Sequence, residues 1–314
     1  MTEHGIQPAA TQKPVAAHAQ AADSTSTERT HRYLRLAIGG TVVVIIVSIL
    51  LTVPSVGWLP SVSDYFYTPA RNAFVGAVIA ASLALLALSG RGAERIILDA
   101  AAVFAPIVAL VPSVISPGSV PGVEVECAKC VPAAFEPDVV NGVTTYLVIL
   151  AGILLLGIAL SIVGAVQGAV ISLLLGGVVF AIVLITGLAI PELFLGWAHF
   201  LATTVFFGLI AADAILNAFW RTSSTPPPKW LRIVYLGIAA VMIVDLVALV
   251  IATIATASAP TDTAAEIFPW IFVGEVIALL AFLAFWWLQT WQRWDEADPA
   301  SLVEATVRLP PLSE

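Results

Sequence analysis

Charge is scarce in this chain. Of 314 residues only 11% are Asp, Glu, Lys or Arg, against roughly 25% in an ordinary soluble domain. That excludes a soluble globular surface, and the lack of any basic stripe argues against nucleic acid as a partner. Cysteine is nearly absent, and the two residues present, Cys127 and Cys130, are too few to frame a disulfide-built fold. Histidine is as rare. His4, His18 and His31 precede the first apolar run, and His199 alone falls within one. A membrane zinc hydrolase needs several nitrogen or sulfur ligands converging at one depth, so neither a metal nor another cofactor is expected. Walker motifs, nucleotide-binding glycine loops, serine elbows and metalloprotease signatures are missing as well. Their absence lowers the expectation of an enzyme without settling it.

Apolar residues make up 60% of the chain. They gather in stretches of about 20, each long enough to cross a hydrocarbon core of roughly 30 Å. The spans expected from these stretches run from about Leu36 to Val56, Asn72 to Ser89, and from the turn at 91–95 to Val114. Two more, Thr145 to Val166 and Gly168 to Ile190, form a tight hairpin around Gln167. The last three end near Trp220, run from Trp230 to about Ala257, and from Phe268 to about Trp291. The fold class read from this pattern is an all-α, polytopic transmembrane bundle of about eight spans. Its domains are a disordered cytoplasmic tail over 1–34, a transmembrane helical domain over 35–293 with an outer loop at 115–144, and a short acidic tail over 294–314. The lipid bilayer is the one partner that composition dictates; a partner membrane protein or a homo-oligomer stays open.

Orientation follows from the distribution of cations. With both termini inside, Arg29, Arg32, Arg35, Arg91, Arg95, Arg221, Lys229, Arg232 and Arg293 fall on the cytoplasmic side, and only Arg71 and Lys129 fall outside. Trp58, Trp197, Trp220, Trp230, Trp270, Trp291 and Trp294 sit at expected span ends, where amphipathic rings favour the headgroup layer.

The run Ser63-Asp64-Tyr65-Phe66-Tyr67-Thr68-Pro69-Ala70-Arg71-Asn72-Ala73-Phe74-Val75-Gly76 resembles the approach to the second helix in a group of uncharacterised bacterial membrane proteins. These are loosely grouped with the domain of unknown function DUF998. Further matching pieces are Ala109-Leu110-Val111-Pro112, His199-Phe200, Phe206-Phe207, Arg232-Ile233-Val234-Tyr235-Leu236-Gly237 and Glu275. The resemblance implies a bacterial cytoplasmic membrane location and a six-span pattern, in which the hairpin from about Thr145 to Ile190 is an insertion. It implies no activity. Asn72 stands where the pattern usually has Asp.

Ionisable groups inside hydrocarbon are costly and mark functional candidates. Asp213, Asp245, Glu275 and His199 form a ladder of depths that can pass protons; the competing reading is that each fixes helix packing through its own hydrogen bonds. Asp99 and Asp213 lie close enough to cytoplasmic arginines to be explained by helix-end solvation. Tyr65, Tyr67 and Arg71 make a candidate headgroup or ligand contact, or else an interfacial aromatic belt. Cys127 and Cys130, on the oxidising side, are expected to close a disulfide, with redox or metal chemistry the lesser alternative. The function classes that remain are membrane-embedded binding or transport, then an envelope structural or accessory role, then a lipid-directed enzyme.

Overall fold

The computed structural model describes the backbone of residues 14–89, 93–166, 168–219, 227–258 and 261–294. Side chains are described within these ranges except at 14–28, 256–258 and 261–269. Arg91, Gln167, Trp220, Arg221 and the tail beyond Trp294 lie outside the described residues, and so do the side chains of His4 and His18.

Eight helices follow one another: α1 (Pro14–Val56), α2 (Arg71–Leu88), α3 (Ala93–Leu110), α4 (Glu136–Ile162), α5 (Val170–Ala189), α6 (Pro191–Phe219), α7 (Lys229–Ser258) and α8 (Thr261–Gln292). Seven are long and apolar enough to cross a membrane. The eighth, α3, equals α2 at 18 residues, about 27 Å. Glu94, Arg95 and Asp99 crowd its first two turns, so composition alone does not mark it. Half of its residues are nonetheless buried among other helices. The chain is an all-α, multi-pass integral membrane protein.

Three helix starts differ from the sequence reading, among them that of α8, at Thr261 where Phe268 is expected. Helix α1 begins at Pro14, inside the stretch expected to be a disordered tail; Ala-rich sequence is a good helix former and here extends an already nucleated membrane helix. Helix α4 begins at Glu136, nine residues inside the expected outer loop. Proline at a helix start has no N–H to lose, and Glu136 and Asp138 suit the positive end of the helix dipole, so this polar segment starts the helix instead of interrupting it.

Six helices close a ring in the order α1, α2, α3, α6, α7, α8 and back to α1. The α4–α5 hairpin stands outside it, against α3 and α6. Its seam is apolar, with Ile107, Val111, Tyr146, Val179, Val183 and Ala202 buried together. The rest of α4 and α5 is exposed aliphatic surface, as lipid contact requires. Around the ring, Trp58, Trp197, Trp230, Trp270, Trp291 and Trp294 are all exposed.

A proline illustrates how sequence and packing agree. Pro106 sits inside α3 and cannot donate to the carbonyl of Ala102. Ser82 of α2 donates its hydroxyl to that carbonyl instead, at 2.7 Å. At the next residue, Tyr146 of α4 donates to the Val103 carbonyl at 3.0 Å.

Most of the segment between α1 and α2 is buried. Residues 61–68 are all buried, with a short 3-10 helix over Ser63–Tyr67. They form a plug across one end of the ring. The loop from 111 to 135 shares this end, tied by mutual backbone hydrogen bonds between Ile115 and Cys130 and by the Cys127–Cys130 disulfide.

Candidate functional site

Glu275 projects from α8 toward the plug, and neutral donors hold it. Ser61 Oγ reaches its two oxygens at 2.8 and 2.7 Å, the Val62 N–H donates at 2.5 Å, and Ser63 Oγ lies at 3.1 Å. Ser63 Oγ also contacts His199 Nε2 at 2.9 Å, while His199 Nδ1 lies 2.7 Å from the Val111 carbonyl. A carbonyl only accepts, so Nδ1 must carry a proton. If His199 is neutral and Glu275 ionised, both then call on the single Ser63 hydroxyl proton. Full satisfaction needs one more proton, placed either on Nε2 or on Glu275. The triad is therefore a place where one proton has alternative seats a few ångströms apart.

Asp64, beside this triad, accepts from Ser113 Oγ at 2.9 Å. Burial first, then the charge of Glu275, pushes its carboxyl up to about 7, while the Ser113 hydrogen bond and Lys129 pull the other way. Tyr65 and Tyr67 are buried and donate their hydroxyls to the carbonyls of Gly57 (3.2 Å) and Ser113 (2.6 Å). Burial raises the pKa of both phenols. Arg71 pairs with Asp138 at 2.8 Å and lies over the rings of Phe66 and Phe135. The trio weighed as a headgroup contact thus holds the plug together: two members point inward, and the third bridges to α4.

A cavity of about 90 Å³ opens below the plug in the middle of the ring, and all six ring helices contribute to its wall. That is room for several water molecules. Glu275 and Asp245 both line it. Asp245 Oδ1 lies close against α8 at Gly274, 3.0 Å from where a β-carbon there would be, so the two acids occupy neighbouring levels. Asp245 Oδ2 and Thr203 Oγ1 are buried without a hydrogen-bond partner, and Thr203 lines the same cavity.

The opposite end of the ring is closed differently. Arg293 bonds Glu94 at 3.1 Å and Asn217 Oδ1 at 2.5 Å, and Gln289 donates to the same Asn217 oxygen at 3.2 Å. Asn217 in turn donates to Asp213 Oδ1 at 3.2 Å, and Arg293 and Arg35 act on Asp213 electrostatically. Tyr235 OH donates to Gln292 at 2.5 Å nearby. Arg95 and Asp99 pair along α3 at 3.4 Å. His199 and Asp213 are 14 residues apart on α6, and so are Glu275 and Gln289 on α8. Each separation is about 21 Å of helix, so the two polar layers lie at opposite ends.

The sequence ladder therefore divides. His199 and Glu275 meet through Ser63, Asp245 shares the cavity with Glu275, and Asp213 belongs to the far network. Ser61, Ser63, Ser113, Asn217, Gln289 and Arg293 escaped the sequence reading. Asn217 had a signal in its position four residues after Asp213, on the same helix face; Ser61 and Ser63 had none beyond their place at the head of the aromatic motif, and Ser113 had none. Among the described residues no group of three or more His, Cys, Asp or Glu is placed to hold a metal ion. No family model, curated protein or solved structure matches the chain.

Proposed function

We propose that the protein is a proton-coupled binding and transport protein of a bacterial cytoplasmic membrane. The observation that carries this reading is a cavity lined by Glu275 and Asp245 in the middle of a six-helix ring, covered by a plug at one end and by a charged network at the other. A solute site flanked by two closures is the arrangement alternating access requires, and the Glu275–Ser63–His199 triad supplies a mobile proton next to it. Protonating Glu275 weakens its grip on Ser61 and Val62, which links proton binding to release of the plug. Both termini are placed inside, with the plug and the disulfide loop facing out, on the cation distribution. The grouping with DUF998-like proteins is part of the same proposal, on the residues that carry it; the hairpin outside the ring occupies the position of an insertion into a six-helix unit.

The test is reconstitution into liposomes holding an entrapped pH-sensitive dye. An imposed pH gradient is expected to collapse faster than in protein-free vesicles, and Asp245→Asn or Glu275→Gln should return the rate to the protein-free value. Equal rates for the wild type and both variants would refute the proton path.

A further inference from the structure

We infer that the ring cavity binds a small organic ammonium ion, with Asp245 as its counter-charge. The inference rests on the reading of this cavity as the solute site and adds the class of solute. Three features point to it. Asp245 Oδ2 is a buried carboxylate oxygen with no hydrogen-bond partner, and Thr203 Oγ1, also unpartnered, lines the same space. Such groups are costly unless something donates to them or neutralises them. Glu275, by contrast, is already held by Ser61, Val62 and Ser63, which leaves Asp245 as the acid with an open valence. Next, among the described residues no Lys, Arg or His side chain lines the cavity, so Asp245 is balanced either by its own proton or by a cationic occupant.

The rest of the wall selects the kind of cation. Phe206, Phe207 and Phe282 line the cavity and pack on one another, with centroids 5.3 to 6.3 Å apart. Aromatic faces attract a cation through their quadrupole and pack well on alkyl groups. A hard metal ion would instead want several oxygen ligands converging on one point, and this wall is mostly hydrocarbon. An ammonium head donating to Asp245 and Thr203, with a short alkyl body against the phenylalanines, satisfies both halves of the surface. The volume of about 90 Å³ confines the body to a short chain.

The experiment is equilibrium binding to the full-length protein in lipid nanodiscs, read by saturation-transfer NMR. Isopropylammonium is the probe and isopropanol its neutral isostere. The ammonium is expected to bind saturably and at least about tenfold more tightly than the alcohol. Asp245→Asn should weaken it roughly thirtyfold or more, and Phe206→Leu by about threefold to tenfold. Alcohol binding as tight as the ammonium, or ammonium binding unmoved by Asp245→Asn in a variant with wild-type helicity, would overturn the inference. If Asp245→Asn does not fold, the wild-type comparison of ammonium with alcohol decides alone. Selective binding without any acceleration of pH-gradient collapse sustains this inference and defeats the proton-coupled function; collapse that needs Asp245, without ammonium selectivity, does the reverse.

Discussion

The two ends of the ring hold buried carboxylates in opposite ways. At the plug end, hydroxyls and a backbone N–H satisfy Glu275. At the other end, Glu94 pairs directly with Arg293, and Asp213 accepts from Asn217. A carboxylate held by neutral donors can be switched by one proton, because the donors survive and only the charge changes. A carboxylate facing arginine cannot, since neutralising it strands a buried cation. The difference makes the plug the closure that a proton can switch, while the charged network opens only by parting its ion pair.

The comparison breaks most severely at Arg293. Arg293→Gln removes the partner of Glu94 and one of two cations beside Asp213, and should cost about 3–5 kcal/mol. The thermal midpoint of the detergent-purified protein reports it. Adding Glu94→Gln removes one of the stranded charges and should recover part of the loss. A double variant no more stable than the single one would show that the pair is not the unit holding this end.

A smaller and more local effect is expected at Glu275. Gln keeps one acceptor but turns an NH2 group toward donors that need acceptors, costing about 1–3 kcal/mol. If the plug is a separable closure, the loss appears there first. Amide hydrogen exchange at Val62 and Ser63 should quicken roughly tenfold to hundredfold while the amide of Asn217 keeps its wild-type rate. Uniform quickening at both ends would mean that the ring opens as one unit, and the contrast between a switch and a lock would fail.

Much of the fold was legible because the bilayer imposes long apolar runs that composition reveals directly. Helices α2, α5, α6 and α7 fall close to their expected positions. The start of α4 was hidden because Glu136, Pro137 and Asp138 read as loop chemistry, although each suits the first turn of a helix. The site was legible only in part. Asp245 and Glu275 stand out as acids within hydrocarbon, but nothing in a sequence shows that Ser61 and Ser63 will fold back from a connecting segment to meet α8, more than 200 positions away. Tyr65 and Tyr67 misled for the same reason. Aromatic residues between two spans fit the interface on composition alone, and only packing reveals that the segment turns inward. Arg293 was read only as a cation on the cytoplasmic side, since its pairing with Glu94 depends on α3 and α8 meeting at one level.

The mildest probe of the comparison is the proton on Asp64, which lies outside the spans yet senses Glu275. Its carboxyl is pushed up to about 7 from the ordinary 3.8, with burial the larger cause and the charge of Glu275 the next. The sign follows from linkage: the folded protein holds this proton more tightly than the unfolded chain does. The contribution to stability is complete below about pH 4 and is lost as pH rises through about 7. Infrared difference spectroscopy of the carboxylic C=O stretch, with Asp64→Asn identifying the band, should show a midpoint near 7. In Glu275→Gln the neighbouring anion is gone, so the midpoint should move down, while burial keeps it above 3.8. In Arg293→Gln, about 27 Å of helix beyond Glu275, the midpoint should stay where it is. A band that answers to Arg293 as strongly as to Glu275 would mean that charge at one end is felt at the other, and that the two closures are coupled through the bundle rather than set independently by their own donors.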